Sequence, residues 1–318
     1  MSIKPILSVV VATHNRANLL PRSLESIISQ QMDDTEIIIV DDGSQDNTQE
    51  VITTLKRQYP NIRSFQNSVA KGPGAARNLG IRMAQGDFIA IMDDDDFCAP
   101  DRFKRQLAVF EDAPDVGLCF GVVEWVDDDN RPLGQFPGLL IRQKFPTDPH
   151  EAFLYLLLNS NKIPNVTVMA RRELLFQFPY AEDVKIGEDW YMVLNILAMG
   201  HKVVGLPIIL VYQSRSFQRN GLMQQRDRAI RDQRRVLKRV FNERRLPKAL
   251  RLHALSKQLT REARMWSGLQ GIRLSLWAMC LWPLNGDVYR NLGLFMLRAI
   301  QRLKRMAIID DKDTLYNS

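Results

Sequence analysis

The chain has 318 residues, 45% of them hydrophobic and 25% charged, with a mean hydropathy of −0.21. That balance suits a globular protein with a full core and excludes a disordered or fibrous chain. Three cysteines far apart (Cys98, Cys119, Cys280) exclude a disulfide framework or a CxxC zinc site and predict a reducing, cytoplasmic setting.

The start, Met1-Ser-Ile-Lys-Pro, runs straight into a strand-like segment with no signal-peptide pattern. No apolar run reaches the roughly 18 residues of a spanning helix. The best candidate, Leu274 to Gly286, is bounded by Arg273 and Asp287 and broken by Pro283. The net charge of +7 is unevenly placed. Residues 1–212 carry 20 Lys/Arg against 28 Asp/Glu, whereas residues 213–306 carry 22 against 5. Opposite signs in the two parts predict two jobs: an acidic part able to hold a cation, and a basic part able to meet an anionic surface.

In chain order, Ile6 to Ala12 reads as a strand buried on both faces, and Asn18 to Gln31 as a helix with Leu20, Leu24, Ile27 and Ile28 in phase. A strand from Glu36, a helix over Thr48 to Tyr59, and a short strand at Arg63 to Gln66 follow. The loop Lys71-Gly-Pro-Gly leads to a helix over Ala75 to Gln85, for which Gly86 predicts a C-terminal cap. Asp87 to Met92 reads as a fourth strand and Pro100 to Asp112 as a helix. Such alternation predicts a parallel sheet wrapped by helices, with ligands beyond the carboxyl ends of the strands.

Val116 to Val126 and a return near Leu139 suggest a hairpin, Glu151 to Leu158 a helix, and Pro164 to Ala170 an extended segment. Trp190 to Met199 reads as a helix ended by Gly200, and Lys202 to Leu210 as a strand. Basic helices are predicted over Leu222 to Glu243 and Pro247 to Met265. An aromatic-aliphatic stretch at Leu269 to Leu284 and a helix at Val288 to Met306 follow.

Three segments after strands carry polar chemistry: Thr13-His14-Asn15-Arg16, Asp41-Asp42-Gly43-Ser44 and Asp93-Asp94-Asp95-Asp96. Four adjacent carboxylates repel one another unless a cation offsets them, and hard oxygen donors suit Mg²⁺ or Mn²⁺. Side chains two apart in an extended stretch share a face, so Asp93 and Asp95 pair while Asp94 turns away. The similar run Asp127 to Asp129 precedes Asn-Arg-Pro and reads as a hairpin tip. Asp41-Asp42 reads equally as a nucleoside contact or as an Asx turn around Gly43. The basic glycine loop before Arg77 and Asn78 suits phosphate or base contact. Glu188-Asp189, after Gly187, reads either as capping acids or as a proton acceptor.

Together these segments resemble glycosyltransferase family 2, inverting transferases of the GT-A fold. The carriers are Ser8-Val-Val-Val-Ala-Thr-His-Asn-Arg, Ile38-Ile-Val-Asp-Asp-Gly-Ser, Gly74-Ala-Ala-Arg-Asn, Gly86-Asp-Phe-Ile-Ala-Ile-Met-Asp-Asp-Asp-Asp and Gly187-Glu-Asp-Trp, spread over residues 6–212. The resemblance implies an α/β GT-A domain over 1–212, with nucleotide binding in 1–112 and the acceptor side in 113–212. A basic helical region, 213–318, follows. It implies a nucleotide-sugar donor, UDP-linked, held by Thr13, His14, Asn15, Arg16, Asp42, Arg77, Asp93 and Asp94. Asp93 and Asp95 match the family's DxD motif for Mn²⁺ or Mg²⁺, and Asp189 its catalytic base; Glu188, Asp96 and Arg215 stand beside them as further candidates. His14 replaces the family's usual aromatic, and Gln213-Ser-Arg after Tyr212 lacks the histidine often found there. The processive Gln-x-x-Arg-Trp element is absent, which implies transfer of one sugar to a glycan or lipid-linked acceptor in envelope polysaccharide synthesis.

In the basic region, Ile230, Val236, Leu237, Val240 and Phe241, then Leu250, Leu252, Leu255 and Leu259, mostly follow a helical period, which packing alone would explain. The charge excess beside Trp266, Trp277 and Trp282 favours contact of 213–306 with an anionic membrane, on the inner face of the cytoplasmic membrane. No nucleic-acid module is present. A nucleotidyltransferase is the rival enzyme and a non-catalytic nucleotide-binding scaffold the rival class.

Overall fold

The structure is a computed structural model and describes residues 4–137, 145–215, 226–265 and 269–295. The chain divides into two compact units, residues 1–240 and 241–318. The sequence set its boundary at 212, but the helix Arg226–Glu243 belongs mostly to the first unit.

In the first unit, β1 (Leu7–Thr13), β2 (Thr35–Asp41), β3 (Ile62–Gln66) and β4 (Phe88–Asp93) alternate with α1 (Leu20–Ile28), α2 (Thr48–Gln58) and α3 (Pro73–Met83). A short β5 (Phe97–Cys98) and α4 (Arg102–Asp112) follow. Next come β6 (Val116–Val126), β7 (Pro132–Phe136), α5 (Pro149–Asn159), β8 (Met169–Arg171), α6 (Arg172–Gln177), α7 (Glu188–Ala198), β9 (Lys202–Ser214) and α8 (Arg226–Glu243). The sheet order is β3-β2-β1-β4-β8-β6-β9-β5, with β7 beside β6. Strands β1 to β4 are mutually parallel, β9 is parallel to β6, and β8 runs antiparallel between β4 and β6.

The central strands are apolar throughout because helices cover both of their faces, and Val9, Val10, Val11, Ile38, Ile39 and Ile91 are fully buried. Register brings the polar strand ends to one edge: Thr13 pairs with Asp41 and Ala12 with Asp93.

Three local expectations are corrected. Helix α3 ends at Met83 with an extended Ala84, so Gly86 is not its left-handed cap. Gly86 is needed because a Cβ there would sit 2.7 Å from Ser8 N. The hairpin returns at Pro132–Phe136, since Asp127 accepts from Asp129 N–H and Arg131 N–H and reverses the chain at once. Leu139 and residues 296–306 of the last predicted helix lie outside the described residues. In the second unit, α9 (Lys248–Met265) and α10 (Leu269–Leu281) precede helical residues 286–295. There Leu250, Leu252, Leu255 and Leu259 are only half-buried; the buried positions of α9 are Ala254, Ser256, Gln258, Thr260, Glu262 and Ala263.

Candidate active site

The two acids ending β2 are saturated by their own chain. Asp41 accepts from Ser44 N–H (3.0 Å), Ser44 Oγ (2.5 Å) and the side-chain amides of Gln66 (3.2 Å) and Gln49. Asp42 accepts from Asn67 Nδ2 (2.8 Å) and from the backbone N–H groups of Lys71 (2.9 Å) and Gly72 (2.7 Å). It thereby ties the glycine loop at the start of α3 to the sheet edge. Gly43 permits this approach: its φ is +72°, and a Cβ would lie 2.8 Å from Ala70 N.

The loop after β1 is braced against the same turn. Asn15, at φ +53°, donates from its N–H to Ser44 Oγ (2.8 Å) and accepts from Gln45 N–H (2.7 Å). His14 Nδ1 lies 2.8 Å from the Asp42 carbonyl, which assigns the ring proton to Nδ1 and leaves Nε2 to accept from the Asn15 amide. Arg16 N–H donates to Thr48 Oγ1. Thr13 Oγ1 is buried beside Asp94 without a well-aligned hydrogen bond.

The aspartate quartet alternates in burial, Asp94 and Asp96 buried and Asp93 and Asp95 partly exposed. Strand β4 nevertheless ends at Asp93, and Asp94-Asp95 form a turn rather than the extended stretch expected. Burial first, then Asp95 and Asp93, pushes the Asp94 carboxyl up to about 7, against the pull of Thr13 and Arg16. Asp96 is raised well above the usual range, chiefly by burial. It accepts from Gln213 Nε2 (3.1 Å) and Ser214 N–H (3.1 Å), anchoring the end of β9 to the quartet. Gln213 Oε1 in turn accepts from Trp125 Nε1 (3.1 Å), and the Arg215 guanidinium stacks 4.3 Å from the Trp125 ring centre. Arg215 is thus held on an aromatic face.

Arg77 joins the quartet to α7. Its side chain is buried, with Nη2 at 2.8 Å from Asp93 Oδ1 and Nη1 at 2.9 Å from Glu188 Oε1. The Tyr180 ring lies 5.6 Å away. Burial works against its charge, and the carboxylates of Asp93 and Glu188 more than offset it, raising the pKa. Glu188 itself is pushed up to about 7 by burial and by Asp189, against the pull of Arg77. Asp189 is also raised, chiefly by burial, with Arg77, Trp190 N–H and Asn161 opposing. Its Oδ2 accepts from Asn161 Nδ2 (2.7 Å) and its Oδ1 from Trp190 N–H (2.8 Å). A partly exposed carboxylate, oriented on both oxygens and raised toward neutrality, is suited to accept a proton.

The loop leading into α7 is gripped from two sides. Asn78 accepts from Tyr180 N–H and donates to the Tyr180 carbonyl and Glu182. From α8, buried Asp232 accepts from Lys185 N–H (3.0 Å), and Arg239 meets Asp183 (3.2 Å) and stacks on Tyr191 (4.2 Å). Gly187, at φ +95°, then turns the chain into Glu188 and Asp189. Sequence reasoning missed Asn161, Tyr180 and Asp232. Asn78 stands within a motif already singled out, whereas no local pattern marks the other three.

Among the described residues no three His, Cys, Asp or Glu side chains converge to enclose a cation. Asp93 and Asp95 remain as hard oxygen donors, with one oxygen of Asp93 engaged by Arg77. Two carboxylates fit an ion that completes its shell with phosphates and water.

Residues 8–172 match the family model described as Glycosyl transferase family 2. The chain is 30% identical over 201 residues to the succinoglycan biosynthesis protein ExoO of Rhizobium meliloti, covering 62% of this chain and 57% of that relative. Staphylococcus aureus TarS 1-349 in complex with UDP-GlcNAc superposes with a TM-score of 0.62 at 20% identity, covering 86% of this chain and 81% of that one. The mannosyltransferase PcManGT of Pyrobaculum calidifontis, in complex with GDP-Man and Mn2+, gives 0.55 at 18% identity, covering 95% and 88%. At such identities the likeness is one of fold, and that fold is GT-A. With the family model spanning more than half of its length, this chain belongs to glycosyl transferase family 2 and is a glycosyltransferase.

Proposed function

We propose that this chain transfers one sugar, with inversion, from a nucleotide-sugar donor to a hydroxyl of a glycan or lipid-linked acceptor in cell-envelope polysaccharide synthesis. The observation that carries the reading is the Arg77 bridge, which sets Asp93 of the acidic quartet and the first turn of α7 on either side of one guanidinium. Asp189 is the base. Asn161 orients it, and it takes the proton of the acceptor hydroxyl as that oxygen attacks the anomeric carbon from the face opposite the leaving diphosphate. One displacement inverts the centre without a covalent enzyme intermediate.

Asp93 and Asp95 would hold Mn²⁺ or Mg²⁺, which when bound offsets the charge growing on the leaving diphosphate. Thr13, His14, Arg16 and the loop held by Asp42 line the nucleoside end of the site, at the strand edge set by the β1–β2 register. Asp42 serves by holding that loop, its oxygens being occupied by Asn67, Lys71 and Gly72. UDP is the favoured nucleotide, supported by the UDP-GlcNAc complex of the structural neighbour TarS. ExoO, a succinoglycan biosynthesis protein, supports the envelope polysaccharide reading.

A thermal-shift panel of nucleotide sugars with Mn²⁺ tests the proposal. A UDP-sugar should raise the melting temperature in wild type and fail to do so in Asp95→Ala. Equal shifts in both would defeat the metal assignment, and a response to GDP-sugars alone would overturn the choice of UDP.

A further inference from the structure

In the second unit, polar side chains lie within the seam between helices while large apolar ones of α10 face outward. Its helix-packing seam is polar: Ser256 Oγ donates to the Ala278 carbonyl (2.6 Å), and Asn285 Nδ2 to Ser256 Oγ (2.9 Å) and Thr260 Oγ1 (3.1 Å). Asn291 Nδ2 donates to the Thr260 carbonyl (3.0 Å), and Asn291 Oδ1 accepts from Arg264 Nε (2.9 Å). On α10 the buried positions are Gly271, Ser275 and Ala278, all small. Val288 and Phe295 are buried, but on α10 and the turn after it large apolar side chains lie outside: Leu269 is 86% exposed, Trp277 57% and Leu284 85%, with Leu276 beside them. Leu269, Leu276 and Trp277 recur at helical spacing, so they form one stripe of α10. Arg273 sits in that stripe, its guanidinium 5.5 Å from the Trp277 ring.

Exposed tryptophan and leucine beside arginine, over a tight small-residue seam, is the arrangement of helices whose surroundings are lipid rather than water. Thirteen residues of α10 measure about 20 Å, short of the roughly 30 Å hydrocarbon core, so the helix is too short to cross a bilayer. No described helix is long and apolar enough to cross one. The strong excess of Lys/Arg over residues 213–306 selects the sign of the surface.

We propose that α10 and the turn after it, through Leu269, Leu276, Trp277 and Leu284, dock in the headgroup layer of an anionic bilayer, with Arg273 beside the lipid phosphates. This gives the lipid-linked acceptor of the reading above a surface on which to be met. The docking itself needs neither donor nor acceptor, so it stands or falls separately from the catalytic assignment.

The test is co-sedimentation of the full chain with vesicles of phosphatidylcholine containing roughly a third phosphatidylglycerol, against phosphatidylcholine alone. Wild type should bind the anionic vesicles, and binding should weaken between about 0.1 and about 0.5 M salt. The double variant L276Q/W277Q should lose at least about tenfold in partitioning, at about 1.4 kcal/mol per tenfold. R273E should weaken anionic binding alone. L133Q, which removes an exposed leucine of the first unit, should change nothing. The melting temperature of each variant reports folding.

Binding unchanged in L276Q/W277Q, equal binding to both vesicle types, or no binding by wild type would each overturn the proposal. So would light scattering that shows wild type as a dimer and L276Q/W277Q as a monomer with vesicle binding intact, because the stripe would then be covered by a second copy.

Discussion

Two acidic segments leave the same edge of the sheet from parallel strands on either side of β1, yet they differ in how they are held. Asp41 and Asp42 are buried and surrounded by donors from residues 44–72, so their negative charge holds loops together. Asp93 and Asp95 keep exposed surface, and Arg77 of α3, which reaches Asp93, also reaches Glu188 of α7. A buried carboxylate saturated by its own chain acts as a brace, and one that keeps exposed surface at the sheet edge is placed to meet a ligand.

The strongest way to sharpen that contrast lies across the Arg77 bridge. Asp189→Asn keeps size and removes basicity, so sugar transfer should fall by about 10²–10⁴-fold. Donor-induced thermal shifts should persist, and retained turnover would remove Asp189 from its role. The braces should fail differently. Asp42→Ala strands two backbone N–H groups and an amide, and should cost about 3 kcal/mol in denaturant unfolding. Asp95→Ala should cost less than about 1 kcal/mol in the same measurement. Equal losses would erase the distinction between brace and ligand.

A third test uses pH. Asp94 is raised to about 7 in the folded chain from 3.8, so across that interval the folded state binds the extra proton. Stability should therefore be highest below the unfolded value and decline as pH rises toward about 7, by on the order of 2–4 kcal/mol. Asp94→Asn should flatten that decline in urea melts run without metal; an unchanged slope would place the titration elsewhere.

The smallest effect concerns α8. Asp232→Ala should cost about 1–2 kcal/mol and lower turnover, whereas Asp232→Asn, which still accepts from Lys185 N–H, should recover most of both. Equal turnover in the two variants would show that this contact does not position α7.

Much of the architecture was legible in residue order. Apolar β-branched runs broken by amphipathic helices predict a parallel sheet, and the chemistry-bearing loops follow the strands as such a sheet requires. The alternation of burial within Asp93 to Asp96 matches the expected period of two, but it arises in a turn after β4 and not in extended backbone. Reading Asp127 to Asp129 as a turn needed only its neighbours.

What sequence could not supply was partnership across long separations. Arg77 and Glu188 are 111 residues apart, and Asn161 and Asp189 28 apart, so no spacing rule joins them. The same limit hid the partners of Asp42, because its donors at residues 67–72 arrive only when β3 pairs with β2 and the following loop folds back. In the second unit, helical period announced apolar residues without saying which side would be covered; packing put serine, threonine and asparagine inside. Local periodicity thus determined which elements form and which residues reach the sheet edge. Tertiary contact decided which charges are buried against the chain's own donors and which keep exposed surface, because desolvation and hydrogen bonding act only where distant segments meet.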